Sequence, residues 1–303
     1  MVEPDFKTLI ELSKESADMT TMDPAILRKY MDETSISMQS TKIEIRNVKD
    51  VVIKLNGREL KARIYDDNNS DSAIIYYHGG GFVFGNIESH DNLCRLISIE
   101  SKLKVISVEY RLAPENKFPA ALNDAFDTFH YIKEHKDEFK IKNKICVAGD
   151  SAGANLAAAL SLKSRDKNLK MPDLQVLFYP SLAPDNFSRS FMEYSENYVL
   201  TGKLMEFFGS QYRDNFNDML NPYFSPLVSD NFKNLPPAII VANEYDPLRD
   251  PVETFYKKLR NDGVKAIGIR ALGMIHGFAT DIEISETAKN LVKMVSKMIP
   301  EML

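Results

Sequence analysis

A serine stands at the centre of the stretch Gly149-Asp150-Ser151-Ala152-Gly153, between a short apolar run and a run of small residues. This order predicts a buried strand, a tight turn and a helix, with Ser151 at the apex of the turn. Glycines on both sides allow neighbouring backbone to approach without meeting a Cβ atom. The N–H of Ala152 then lies at a helix N-terminus, where free donors stabilise a developing oxyanion. The chemistry predicted is nucleophilic attack on a carbonyl.

A second glycine-rich stretch, His78-Gly79-Gly80-Gly81, directly follows the strand-like run from Ala73 to Tyr77. Three glycines leave backbone N–H groups free to face a ligand, as in the oxyanion hole of acyl-transfer enzymes. His78 comes before Ser151 in the chain, whereas the nucleophile elbow goes with the order serine, acid, histidine. We therefore do not assign His78 as the general base.

His276 is the one histidine that follows Ser151, and it lies in a loop after the last strand-like run, Val264 to Leu272. In that place it can take the serine proton and return it to the leaving group. The remaining histidines are predicted to be surface residues of helices or loops: His90, His130 and His135.

Three carboxylates that follow the strand ending near Ala242 compete for the role of orienting acid: Glu244, Asp246 and Asp250. Asp250 is predicted to begin a helix, where a carboxylate caps free N–H groups. Asp246 lies in the strand-to-helix loop, so we assign it to hold the imidazole of His276. Asp150, beside the nucleophile, is predicted to fix the turn by a hydrogen bond behind the reacting groups.

The elements that must position these residues alternate between strands and helices. Helical patterns fall between most of the apolar, strand-like runs, which predicts an α/β fold with a mostly parallel central sheet flanked by helices. Such sheets carry their sites at the carboxyl ends of the strands. The runs are Ala73 to Tyr77, Val105 to Tyr110, Ile145 to Ala148, Leu174 to Tyr179 and Ala238 to Ala242.

Other segments flank or interrupt this alternation. Two amphipathic helices are predicted near the start of the chain, over Phe6 to Ser16 and from Asp23-Pro24 onward. A hairpin that turns at Asn56-Gly57 follows them. The stretch from Asp185 to Asn217 is rich in Phe, Tyr and Met and lacks a strand pattern, so we expect it to form a lid.

The composition of the chain excludes several kinds of partner and cofactor. The 303 residues carry a formal net charge of −5, and a nucleic-acid partner is not expected because phosphate binding needs a basic surface. The acidic start of the chain and the absence of a long apolar run predict a cytoplasmic protein without stable membrane anchoring. Cys94 and Cys146 lie among apolar residues and are expected to be buried. Neither they nor the histidines have the spacing of metal ligands, so no metal or other cofactor is expected.

Several motifs in fixed order resemble the hormone-sensitive-lipase family of α/β hydrolases, which includes the microbial family IV carboxylesterases. Beyond the two glycine-rich stretches, the resemblance is carried by Tyr110-Arg111-Leu112-Ala113-Pro114-Glu115, Phe118-Pro119-Ala120-Ala121, Asp246-Pro247-Leu248-Arg249-Asp250 and His276-Gly277-Phe278. It implies a carboxylesterase that cleaves short- to medium-chain esters through a covalent acyl-enzyme. The implied catalytic residues are Ser151, Asp246 and His276, and the implied oxyanion donors are the N–H groups of Gly80, Gly81 and Ala152. His78, Gly79 and Asp150 support them from behind.

The resemblance also implies how the chain is divided. Residues 1–40 and 185–217 are expected to form a helical cap over a hydrolase core made of residues 41–184 and 218–303. The substrate is expected to be a small-molecule ester, and two copies are expected to pair through the last strand.

Two alternatives stay open. Some members of this family are receptors that kept the fold but lost the catalytic histidine, and the presence of His276 counts against that role here. An amide or lactone hydrolase uses the same machinery and cannot be separated by sequence.

Overall fold

Eight strands form one sheet in the computed structural model, which describes residues 1–15, 18–184 and 187–303. In space the strands run in the order β1-β2-β4-β3-β5-β6-β7-β8. The pairs β1–β2 and β2–β4 are antiparallel and all other pairs are parallel. The strands are β1 (Val48–Leu55), β2 (Arg58–Tyr65), β3 (Ala73–Tyr77), β4 (Lys104–Val108), β5 (Ile145–Asp150), β6 (Gln175–Phe178), β7 (Ala238–Tyr245) and β8 (Ala266–Ile275).

Helices cover both faces of this sheet, which is why the central strands are mainly apolar and do not alternate with polar residues. Every residue of β3, β4, β5 and β6 is buried. Alternate residues of β3 belong to opposite cores: Ile75 packs with Phe129, Leu156 and Phe255 on one face, and Ile74 packs within the other core. The expected α/β hydrolase architecture is confirmed.

The helices fall between the strands as the alternating pattern requires, with extra ones at the start of the chain and between β6 and β7. Within the described ranges they are α1 (Pro4–Glu15), α2 (Pro24–Ser37), α3 (Asp91–Ser101), α4 (Ala120–Glu134), α5 (Ser151–Asp166), α6 (Arg189–Tyr194), α7 (Gly202–Tyr212), α8 (Arg249–Asn261) and α9 (Glu286–Met302). No helix in those ranges has both the length and the apolarity to span a bilayer.

Sequence patterns locate most elements but misplace the strand ends nearest the site. The hairpin at Asn56-Gly57 is confirmed, and both cysteines are buried as expected. The strands β5, β7 and β8, by contrast, each continue beyond the predicted ends at Ala148, Ala242 and Leu272. The added residues of β5 and β7 include polar side chains that apolar patterning does not count as strand, and the added part of β8 begins with a glycine. Two expected boundaries, Ser16 of the first helix and Asp185 of the lid, lie outside the described residues.

Candidate active site

Three parallel strands end at one edge of the sheet, and each is followed by one of the residues predicted to react. Ser151 follows β5, Asp246 follows β7, and His276 follows β8. Ser151 has a φ of +50°, a left-handed backbone conformation that an L-residue adopts only where its surroundings enforce it. A Cβ on Gly153 would lie 1.9 Å from Tyr77 O, so only glycine fits where the turn crosses β3.

A continuous hydrogen-bond path joins the three side chains. His276 Nε2 lies 2.9 Å from Ser151 Oγ, and His276 Nδ1 lies 2.8 Å from Asp246 Oδ2. Asp246 is fully buried, and its Oδ1 accepts a hydrogen bond from Leu248 N at 2.8 Å. Because an ionised carboxylate only accepts hydrogen bonds, it holds the proton of His276 on Nδ1 and leaves Nε2 free to accept the serine proton.

Asn243, which sequence patterns did not single out, supports this path. Its Nδ2 donates to Asp246 Oδ2 at 3.0 Å and to Ile275 O at 2.9 Å, and the residue is fully buried. It therefore ties the loop of the acid to the strand end that carries His276. The ring of Tyr179 meets the imidazole of His276 edge-on, with ring centroids 4.9 Å apart, and limits its movement.

The two competing carboxylates have other partners. Glu244 Oε2 accepts a hydrogen bond from Gly273 N at 2.7 Å. Asp250 Oδ2 accepts one from Ser190 N at 2.9 Å, and Asp250 N donates to Ser190 Oγ at 3.0 Å. The prediction that Asp250 caps its own helix is wrong: it satisfies a free N–H in the first turn of α6, because that helix packs across the start of α8.

The glycine turn after β3 borders the cavity that Ser151 lines. Gly80 and Gly81 have φ values of +115° and +59°. Gly80 O accepts hydrogen bonds from Val83 N and Phe84 N, whereas the N–H groups of Gly80 and Gly81 bond to no acceptor in the described residues. Gly81 lines the same cavity as Ser151 and Ala152. Since Ala152 is the second residue of α5, its N–H has no partner within that helix.

Asp150 holds this turn from behind. Its Oδ1 accepts hydrogen bonds from Gly79 N at 2.9 Å and from Tyr76 OH at 2.8 Å, and His90 Nε2 lies 3.3 Å away. Burial alone raises the pKa of Asp150, but the charge and hydrogen bond of His90 and the Tyr76 hydroxyl outweigh it and hold that pKa below its ordinary value. The prediction that His90 is a surface residue is wrong, because it is only 5% exposed.

His78 is also buried and takes no part in the hydrogen-bond path to Ser151. Its Nδ1 lies 2.7 Å from Gly79 O, and its ring stacks on Tyr110 at 4.3 Å. Burial, followed by the nearby His90, lowers the pKa of His78 to about 3, so this imidazole is neutral in ordinary buffers.

A cavity of about 270 Å³ opens beside Ser151. Its walls are mainly apolar, and many of them come from the segment between β6 and β7. The residues include Phe82, Leu200, Met205, Phe208, Phe216, Met219, Phe224 and Leu248. Such a cavity suits an apolar acyl or alcohol group bound next to the nucleophile.

Residues 74–280 match the family described as having the alpha/beta hydrolase fold. The chain is 35% identical over 283 residues to an arylesterase of Saccharolobus solfataricus, covering 91% of this chain and 92% of that protein. It is 32% identical to an ethyl acetate hydrolase of Pseudomonas putida over 91% of this chain and 89% of the relative. Among solved structures, the iron-lacking apo form of ESTFA superposes with a TM-score of 0.97 at 64% identity, covering 100% of both chains.

Proposed function

The chain belongs to the alpha/beta hydrolase family and is a carboxylic ester hydrolase, and we propose that it works by acyl transfer through Ser151, Asp246 and His276. The observation that carries the proposal is the unbroken hydrogen-bond path from the buried carboxylate of Asp246 through His276 to Ser151 Oγ. No other base is needed, because His276 reaches the nucleophile directly.

In the proposed cycle Ser151 Oγ attacks the ester carbonyl carbon and His276 Nε2 takes the hydroxyl proton. The N–H groups of Gly80, Gly81 and Ala152 stabilise the negative oxygen, each contributing about 3 kcal/mol in a site of this kind. The C–O bond to the alcohol then breaks, and His276 gives its proton to the departing oxygen. Water repeats the same steps on the acyl-enzyme to release the acid.

We further propose that residues 1–40 and 185–217 form a cap over this site. Supporting contacts join the second segment to the core around the cavity: the ring of Tyr212 stacks on Phe82 at 3.8 Å, and Phe118 N donates to Tyr212 O at 2.7 Å. The turn Met19–Thr21 of the first segment contacts α7 of the second. A cap of this kind excludes water while the acyl-enzyme forms.

Copies of the chain are proposed to pair through β8. Within the described residues β8 pairs with no strand other than β7. Glu3 N donates to Gly273 O near the end of β8, so the part of its outer edge before Gly273 is the one proposed to pair with a second copy.

The name of the ESTFA structure implies an iron-bound counterpart of that protein. In this chain the described residues include no group of three or more His, Cys, Asp or Glu side chains placed to hold a metal ion. They do not fit such a centre, and no step of the cycle is assigned to iron.

The proposal is tested by hydrolysis of p-nitrophenyl esters, from acetate to a long-chain acyl, with wild type and Ser151→Ala. We expect activity on short and medium chains, and a loss of about 10⁴-fold or more in the variant. Ser181→Ala, which alters another serine of the same cavity, is the matched control and should stay within a few-fold of wild type. Full activity of a folded Ser151→Ala would refute the assigned nucleophile.

The same series separates the remaining alternatives. p-Nitroacetanilide carries the acyl group of the acetate ester on an amide, so faster turnover of the anilide would indicate an amidase. Binding of esters without turnover by the wild type would favour the receptor-like role.

A further inference from the structure

The helix α2 presents two charged side chains to the turn that carries the proposed oxyanion donors. Arg28 Nε donates to Val83 O at 2.6 Å, and Arg28 Nη2 donates to Ala113 O at 2.8 Å. One turn later on the same helix face, Asp32 Oδ1 accepts a hydrogen bond from Gly85 N at 2.8 Å. The helix thus holds residues 83–85 through a donor and an acceptor of opposite charge.

The held segment packs directly behind the donors. Val83 N and Phe84 N both donate to Gly80 O at 3.0 Å. A Cβ on Gly85 would lie 2.4 Å from Gly79 O and 2.6 Å from His78 Nδ1, so the backbone of Gly85 packs directly against the start of the glycine turn. A shift of residues 83–85 must therefore displace the glycine turn as well.

We propose that Arg28 and Asp32 are positioning residues for the oxyanion hole. They orient the N–H groups of Gly80 and Gly81 by fixing the segment behind them, although neither side chain touches the reacting atoms. The inference rests on the proposed function, since it assigns to α2 a share in stabilising the acyl-transfer transition state. Donors aimed at the oxyanion help only when they are held in place before the reaction.

The chemistry of the contacts made by Arg28 and Asp32 indicates which substitutions keep each hydrogen bond and which remove it. The contact of Asp32 needs an oxygen acceptor, which a neutral amide also supplies, so Asp32→Asn keeps the bond from Gly85 N and Asp32→Ala loses it. Arg28 uses two separate nitrogens on two carbonyls, which the single ammonium of lysine cannot reproduce. Its further pair with Glu115 is at the surface, where that carboxylate is 51% exposed, and contributes little.

The experiment measures kcat and KM for p-nitrophenyl acetate. The kcat is expressed per active site, and the number of active sites is determined by titration with a p-nitrophenyl phosphonate. The proteins compared are wild type, Arg28→Ala, Arg28→Lys, Asp32→Ala and Asp32→Asn. The phosphonate rate constant is a second readout, because its reaction also places a negative oxygen in the oxyanion hole. Glu33→Ala is the control on the same helix, since the Glu33 side chain is 67% exposed. Thermal unfolding curves identify a temperature at which all variants are folded.

We expect Arg28→Ala and Asp32→Ala to lower kcat per titrated site about 10-fold, a part of the roughly 10²–10³ that loss of a whole donor costs. KM should stay within about twofold, and phosphonylation should slow in parallel. Asp32→Asn should recover most of the rate, whereas Arg28→Lys should fall between alanine and wild type.

Unchanged kcat per titrated site in both alanine variants would overturn the inference, as would a rise in KM alone. Failure of the proposed function looks different: the wild type itself would not be titrated at Ser151.

Discussion

Gly81 is where the glycine turn after β3 approaches α7, a helix of the proposed cap, and its replacement by alanine provides a quantitative test of that contact. A Cβ on Gly81 would lie 2.5 Å from Cγ and 2.6 Å from Cδ2 of the Phe208 ring. Ordinary carbon contacts are about 3.5–4.0 Å, so the ring or the turn must move by roughly 1 Å. Overpacking of this kind costs about 1–3 kcal/mol. The left-handed φ of +59° adds about 1–2 kcal/mol for a residue with a side chain.

The steric cost and the backbone cost of Gly81→Ala can be separated by a double-mutant cycle. When Gly81→Ala is made in a Phe208→Ala background, the steric clash is gone and Gly81→Ala costs only its backbone strain. We therefore expect a coupling free energy of about 1–3 kcal/mol between the two sites, measured by urea unfolding of both single variants and the double variant. Gly263→Ala calibrates the backbone cost alone, because Gly263 has a φ of +82° and no atom lies within 4 Å of the place that its new methyl group would occupy.

Activity provides the second part of this test. A displaced turn misaligns the Gly81 N–H, so kcat of Gly81→Ala should fall about 10-fold or more, and relief of the clash by Phe208→Ala should restore part of it. Gly263→Ala should leave kcat unchanged. Additive losses of stability at positions 81 and 208 would refute the contact, and full activity of Gly81→Ala would refute the placement of the donor.

Two shorter predictions concern pH and assembly. Burial raises the pKa of Asp281 from its ordinary 3.8 to about 7. The folded protein therefore keeps a proton on Asp281 that the unfolded chain releases. The stability that this bound proton contributes declines as pH rises from about 4 to 7. Asp281→Asn, which is neutral throughout, should therefore lose less Tm than wild type between about pH 5 and pH 8, and equal losses would contradict the shift. Pairing through β8 predicts a dimer by light scattering at micromolar concentration, and a monomer alone would exclude it.

Residue type and chain order were enough to predict that Ser151, Asp246 and His276 lie together. Each follows a strand in a parallel sheet, and the carboxyl ends of such strands meet at one edge. The alternation of apolar runs with helical patterns predicted an α/β fold with a mostly parallel sheet, and the ordered motifs predicted the α/β hydrolase fold by resemblance. The ends of the strands were harder to predict from the sequence. Asp150, for example, has a polar side chain and yet belongs to β5.

The buried partners of the site escaped sequence reasoning for a physical reason. His90 looked like a surface histidine because its neighbours are polar, and only the packing of α3 against the sheet brings it to Asp150. Asn243 lies inside a strand, where an amide carries no distinctive pattern. His90 acts on Asp150 and Asn243 bonds to Ile275, and both of these partners are far away in the chain, so no local spacing marks the contacts.

The same reason applies to the contacts that hold the site in place. Asn243 donates to the carbonyl of Ile275, Arg28 to that of Val83, and Asp32 accepts from the N–H of Gly85. Any residue type supplies a backbone carbonyl, and every residue but proline supplies a backbone N–H. The residue whose backbone takes part in such a hydrogen bond therefore cannot be predicted from its type. What such a contact requires is a backbone held at a fixed place, and the sheet and its glycine turns provide that. The proposed catalytic residues can therefore be predicted from the sequence because their side chains carry the chemistry. The precision with which they are placed depends instead on main-chain geometry.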